Sequence, residues 1–151
     1  MAAKKKTWRE KLADDKNLPK VGPIEGKMTT RWGTGTMVIP RPRDVDAAMK
    51  KVPKGKTITI NEIRDKLAKD HGANVCCPMT TGIFAWIAAH AAEEAAAEGA
   101  KRVTPWWRTL KTGNELNPKY PGGIRRQSEL LKAEGHRIVR RGKRYFVEQA
   151  A

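Results

Sequence analysis

The sequence predicts a mainly α domain with a small β-hairpin, a winged helix-turn-helix preceded by a basic N-terminal arm. Three observations predict it. Two capped helical patterns separated by a short break occupy the middle of the chain, and a further helix and a basic hairpin follow them. Lys+Arg 31 against Asp+Glu 16 leaves a formal net charge of +15 over 151 residues. A hydrophobic share of 39% supports a core, and the length suits one domain plus an arm, since soluble domains usually run to about 100–150 residues. A cationic surplus of this size in a chain able to fold points to a polyanionic partner, because each Lys or Arg that neutralises a phosphate releases a condensed counterion.

Residues 1–40 are rich in Lys, Gly, Pro and Thr and read as the arm, with one short helix where Thr7 and Glu10 have capping-box spacing. The domain is expected over 41–151. After Pro42, the apolar residues Val45, Ala48, Met49 and Val52 recur at helical spacing behind Asp44 as the cap, and Pro53 ends the run. Thr59 and Glu62 form a capping box that opens a second helix, with Ile60, Ile63 and Leu67 on one face and Gly72 beyond its end. A break at residues 73–78 precedes a long Ala-rich helix from about Met79 to Glu98, stopped by Gly99. Two helices across so short a break are what a helix-turn-helix needs, the second being presented to DNA.

Residues 104–123 read as a long loop crowded with Trp106, Trp107, Arg108 and Tyr120, and such loops are usually functional or disordered. A short helix from Ile124 to Glu134 ends at Gly135, and two apolar-rich runs around Gly142 then read as a hairpin. Residues 124–144 hold eight Lys/Arg and two acids, so Arg140, Arg141, Lys143 and Arg144 are expected to contact phosphates from this wing.

The catalytic inventory is thin. No Gly-rich phosphate loop follows a strand, no His-Glu-x-x-His helix exists, and His71 with Cys76 and Cys77 lacks zinc-site spacing, so neither cofactor nor metal is expected. The adjacent cysteines do not form a secreted disulfide framework, and a reducing cytoplasm fits them. Each is read as a packing residue, with activation of a thiolate at a helix N-terminus as the alternative. The start carries no apolar run behind its lysines, and Ile83–Ala97, interrupted by His90, Glu93 and Glu94, is shorter than the ~20 residues a membrane span needs.

Thr104-Pro-Trp-Trp-Arg-Thr109, then Tyr120-Pro-Gly-Gly123, then Leu130-Leu-Lys-Ala-Glu-Gly-His136 resemble the DNA-binding domain of the alkylguanine-DNA alkyltransferases. That family's Pro-Cys-His-Arg is followed by a Tyr-x-Gly-Gly loop and a Leu-Leu-x-x-Glu-Gly helix end. Upstream, Val52-Pro-Lys-Gly-Lys56 resembles the family's Ile-Pro-x-Gly-x turn, and Met79-Thr-Thr-Gly82 falls where the family has Arg-Ala-Val-Gly. The resemblance spans about residues 44–147, although the family's Asn-Pro before the active-site strand is replaced by Ala97-Glu-Gly-Ala-Lys-Arg102. Trp106 takes the place of the nucleophilic cysteine and Trp107 that of the relay histidine, while Pro105 and Arg108 match and Glu134 remains of the relay. Alkyl transfer to a thiolate requires a thiolate. The alkyltransferase-like proteins have lost the same cysteine, often to tryptophan, and bind the lesion without removing the alkyl group; this chain is similar to them.

The resemblance implies non-enzymatic recognition of O6-alkylguanine-type lesions in double-stranded DNA, from the minor groove. The base would be flipped into a pocket walled by Trp106, with Arg108, Lys119, Tyr120 and Ile60 around it, Ile60 standing where the family has a tyrosine. The family's intercalating arginine falls on Met79, and an apolar wedge can also unstack a base step. Thr80 and Thr81 beside it either bond phosphates or cap the helix. As bare residues, Trp106 and Trp107 suit a core better than a pocket; the flanking Pro105 and Arg108 favour the pocket for Trp106, and since adjacent residues on a strand cannot both enter one pocket, Trp107 is read as structural. A monomer on the nucleoid, partnered by DNA and by other repair proteins, is expected. Two alternatives stay open: a winged-helix DNA-binding or nucleoid protein without a lesion pocket, and a glycosylase or residual alkyltransferase using Cys76 or Cys77.

Overall fold

A computed structural model describes residues 6–26 and 28–148. The order along the chain is α1 Trp8–Ala13, β1 Lys20–Pro23, α2 Met28–Trp32, β2 Thr36–Ile39, α3 Pro42–Lys50, β3 Ile58–Thr59, α4 Ile60–Asp70, β4 Val75–Cys76 and α5 Pro78–Ala97, then β5 Thr109–Leu110, α6 Gly123–Ala133, β6 Ile138–Arg141 and β7 Arg144–Val147. The architecture is mainly α with a small β-hairpin.

The long helix α5 is apolar on nearly every side, and such a helix is stable only when buried on several faces. Here Phe84, Ala85, Ile87, Ala88, Ala89, Ala91 and Ala92 are all buried. The alanines among them let α1 and α3 pack directly on α5. Val45 and Met49 of α3 and Ile63 of α4 are fully buried in the same cluster. Helix α4 starts where its capping box predicts, with the Thr59 side chain accepting from the Glu62 amide. The α4–α5 pair, joined through β4, is the helix-turn-helix, and β6 pairs antiparallel with β7 as the wing, Arg141 opposite Arg144 around Gly142.

Three expectations need correcting. Residues 1–40 are not a detached arm where they are described: β2 lies between β1, antiparallel, and β4, parallel, and Val38 of β2 is fully buried in the main core. Helix α1 does form behind Thr7 with a complete capping box, and Trp8 and Leu12 pack against that core. Asp44 is not the N-cap of α3. Pro42 fixes the first turn, Arg41 is the cap, and the Asp44 carboxylate accepts from the Arg41 amide. Lastly, Trp106–Arg108 lie on a 3-10 helix rather than a strand, and the following β5 pairs in parallel with β3, so the long loop is held to the start of α4.

Candidate nucleic-acid interface

The first turns of α5 expose a small apolar edge. Met79 is 74% and Ile83 45% exposed, one helical turn apart on the same face. Thr81, two residues after Met79, turns inward. It is fully buried, donates to the Cys77 carbonyl at 2.6 Å and lies 3.2 Å from the Cys76 sulfur. Of the two readings of Thr81, phosphate contact and helix cap, burial removes the first, and the hydroxyl serves the second only loosely, since it bonds back to the carbonyl four residues earlier and satisfies no free amide of the first turn. Thr80 is half-buried, with its hydroxyl 3.5 Å from the same carbonyl.

Beside this edge lie two adjoining cavities. The deeper one, about 280 Å³, is walled by Ile60, Pro78, Gly82, Ala85, Leu110 and Tyr120, with Lys111, Glu115, Asn117 and Arg144 among its polar residues. The outer one, about 470 Å³, runs between Met79, Ile83 and Trp86 on one side and Lys111, Asn117, Pro118 and Lys119 on the other. Gly82, Lys111 and Asn117 line both, and a Cβ added at Gly82 would meet no atom within 4 Å. Ile60 and Tyr120 thus line one cavity, and Met79 and Lys119 the adjoining one. Gln127, fully buried in α6, fastens the loop that forms the outer wall. Its amide nitrogen donates to the carbonyls of Trp107 (3.1 Å) and Thr109 (3.3 Å), and its oxygen accepts from Asn117 N–H (2.9 Å). Burial pushes the Tyr120 phenol far up, so it stays neutral at physiological pH.

Trp106 does not wall either cavity. The side chain is fully buried, its indole N–H donates to Glu93 at 3.1 Å, and its ring meets those of Trp107 and Tyr120 edge-on at 5.8 and 5.5 Å. The Trp106 ring belongs to the main core, packed against Trp107 and Tyr120, and not to a cavity wall. Arg108 is likewise displaced from the expected pocket. It donates to Glu134 at 2.9 and 2.7 Å and to the Val52 carbonyl at 2.8 Å, with side-chain exposures of 13% for Arg108 and 7% for Glu134. Trp107 gives its indole N–H to the same Glu134 at 3.0 Å. Together Glu134, Arg108 and Trp107 form a buried strut between the turn at Val52, the 3-10 helix and the end of α6.

On the wing, Arg140, Arg141 and Lys143 face solvent. Arg140 lies over the Tyr145 ring and Arg141 over Phe146, so each guanidinium is steadied on an aromatic face. Arg144 differs, because its fork is occupied by Glu115 at 2.6 and 3.0 Å. The expectation of a free phosphate contact there is corrected to a link between wing and cavity wall. Cys76 is buried, which pushes its thiol up, and no cysteine or histidine lines the two cavities. Among the described residues, no group of three or more His, Cys, Asp or Glu could hold a metal, and no helix is long and apolar enough to cross a membrane.

Sequence reasoning missed Gly82, Ile83, Trp86 and Glu115. Ile83 carries a signal, lying four residues after the wedge candidate on the same helix face; Glu115 and Trp86 carry none outside the fold.

No protein family model matches the chain. No curated protein matches it. Among solved structures, it is similar to S. pombe Atl1 in complex with damaged DNA containing O6-carboxymethylguanine, with 21% identity and a TM-score of 0.46 over 71% of this chain and 87% of that one. It is also similar to S. pombe ATL in complex with DNA, with 19% identity and a TM-score of 0.44 over 72% of this chain and 87% of that one.

Proposed function

We propose that the protein binds double-stranded DNA and recognises an alkylated base of the O6-alkylguanine type, extruded from the minor-groove side, without transferring the alkyl group. One observation carries this: an exposed apolar wedge, Met79 with Ile83, stands at the mouth of a cavity with apolar walls and lysines at its rim. The wedge unstacks a base step. The freed base enters between Ile60 and Tyr120 rather than against Trp106. The two cavities together match the ~300–1,000 Å³ usual for small-ligand sites. Arg140, Arg141 and Lys143 hold phosphates and set register. With no thiol at the cavity and Cys76 buried against Thr81, no cysteine is placed to accept the alkyl group. Such a protein acts as a monomeric sensor on the nucleoid and hands the lesion to other repair proteins.

Met79→Ala tests this. Affinity for a duplex carrying one O6-alkylguanine is expected to fall by about 1–3 kcal/mol. Affinity for the unmodified duplex should barely change, and the salt slope, about −0.9 per phosphate contact, should stay as it was. An equal loss on both duplexes would favour the second reading, a winged-helix DNA-binding protein without a lesion pocket, for which the basic hairpin alone suffices.

A further inference from the structure

We propose that α1 is a strap that holds the outer wall of the two cavities in place, and that Trp8 is the positioning residue through which it acts; for its functional consequence this rests on the recognition proposed above. The strap lies outside residues 44–147, the stretch that resembles the alkyltransferases.

Helix α1 is fastened to α5 at its N-terminal end. The Glu94 carboxylate accepts the backbone N–H groups of Trp8 at 3.1 Å and Arg9 at 3.2 Å, so two amides with no partner inside the helix end on an anion of the neighbouring helix. The Arg9 guanidinium binds back to Glu94 and Glu98. This attachment puts the Trp8 ring in one place. It stacks on His90 at 4.3 Å with 20° between planes and meets Trp86 edge-on at 4.7 Å, while Trp86 and His90 meet edge-on at 5.1 Å.

The other side of that aromatic trio faces the cavity wall. Trp86 donates its indole N–H to the Lys119 carbonyl at 3.1 Å, and His90 packs edge-on against that same indole. Lys119 walls the outer cavity, and Tyr120, next in sequence, walls the inner one. From within, the same loop is held by Gln127 on Asn117 and by Asn117 on the Lys119 amide at 3.0 Å. The loop is therefore gripped from two sides, and the outer grip depends on Trp86 keeping a rotamer that Trp8 and His90 pack into place.

Hydrogen exchange and DNA titration on the full chain test this. In Trp8→Ala, protection of the Lys119 and Tyr120 amides is expected to fall about tenfold while that of Ile63 and Leu67 stays as it was. Discrimination between a lesion duplex and its unmodified match is expected to fall about three- to tenfold. Trp8→Phe should restore most of both, because a ring still stacks on His90. Glu94→Ala, which frees the strap on a solvent-facing side of an Ala-rich helix, should lower the same two protections and keeps the test available if Trp8→Ala does not fold. Wild-type exchange at Lys119 and Tyr120 in either variant would overturn the strap, whatever the DNA shows. Absence of any lesion preference in the unaltered protein would overturn the recognition instead and leave the exchange result standing.

Discussion

Trp106→Ala is expected to destabilise the fold by about 3–5 kcal/mol, the usual cost of emptying a buried aromatic site. Against a total stability of about 5–15 kcal/mol for a domain, that is a large fraction. Trp106 is completely buried, is bonded through its indole N–H to Glu93 on α5, and stands behind Tyr120. Truncation leaves a cavity and takes the indole donor from the Glu93 carboxylate, which among the described residues keeps only Arg126 at 3.9 Å. Urea unfolding should show the midpoint falling sharply, with Trp106→Phe losing less because most of the apolar volume stays. A midpoint unchanged by Trp106→Ala, together with lost lesion binding, would return Trp106 to the pocket.

Glu134→Gln should cost about as much, roughly 3–5 kcal/mol, because it strands the buried Arg108 guanidinium without its counter-charge. It also weakens the acceptor for Trp107 N–H and for the Gly55 amide at 3.4 Å. The pH dependence follows from the same contacts. Burial pushes the Glu134 carboxyl up, but hydrogen bonds from Arg108, Trp107 and Gly55 outweigh it and hold it below the ordinary value of 4.5. A depressed native pKa means stability that is present above the unfolded value and is lost as pH falls through the native one. Acid titration of the wild type should therefore show a loss of stability beginning below about pH 4.5 that is shallower in Glu134→Gln. Equal slopes in the two proteins would show that the strut does not carry it.

The elements with local signals were legible in the sequence. Capping boxes at Thr7 and Thr59, the stop at Gly99 and the turn at Gly142 mark where helices and hairpin begin and end, because each is decided by neighbours a few residues apart. The three-stranded sheet was not. Its strands have two to four residues, include Gly22 and Pro23, and owe their pairing to partners far away in sequence, so no alternation announces them. At the candidate site Ile60, Met79, Lys119 and Tyr120 line the two cavities, whereas Trp106 and Arg108, expected at the pocket, and Arg144, expected on phosphate, are held by other partners. These three are polar or amphipathic side chains whose partners, Glu93, Glu134 and Glu115, lie far away in sequence and reach them only in the folded chain. The cavity itself is made of segments around residues 60, 82 and 115, brought together by packing on α5.

The most direct test fills that cavity. Gly82 lies in the body of α5, a Cβ there points into open space, and leaving glycine favours a helix interior by up to about 1 kcal/mol, so Gly82→Leu is expected to fold and to occupy the room meant for a base. Wild type and Gly82→Leu would be titrated with two duplexes identical except for one O6-alkylguanine carrying a labelled alkyl group. The wild type should prefer the lesion duplex at least about tenfold, the ~1.4 kcal/mol expected of one base stack, and should leave the label on the DNA. Gly82→Leu should bind both duplexes with the wild type's affinity for unmodified DNA. Equal wild-type affinity for the two duplexes, lesion preference that survives Gly82→Leu, or label carried onto the protein would each contradict recognition of an alkylated base in this cavity without transfer.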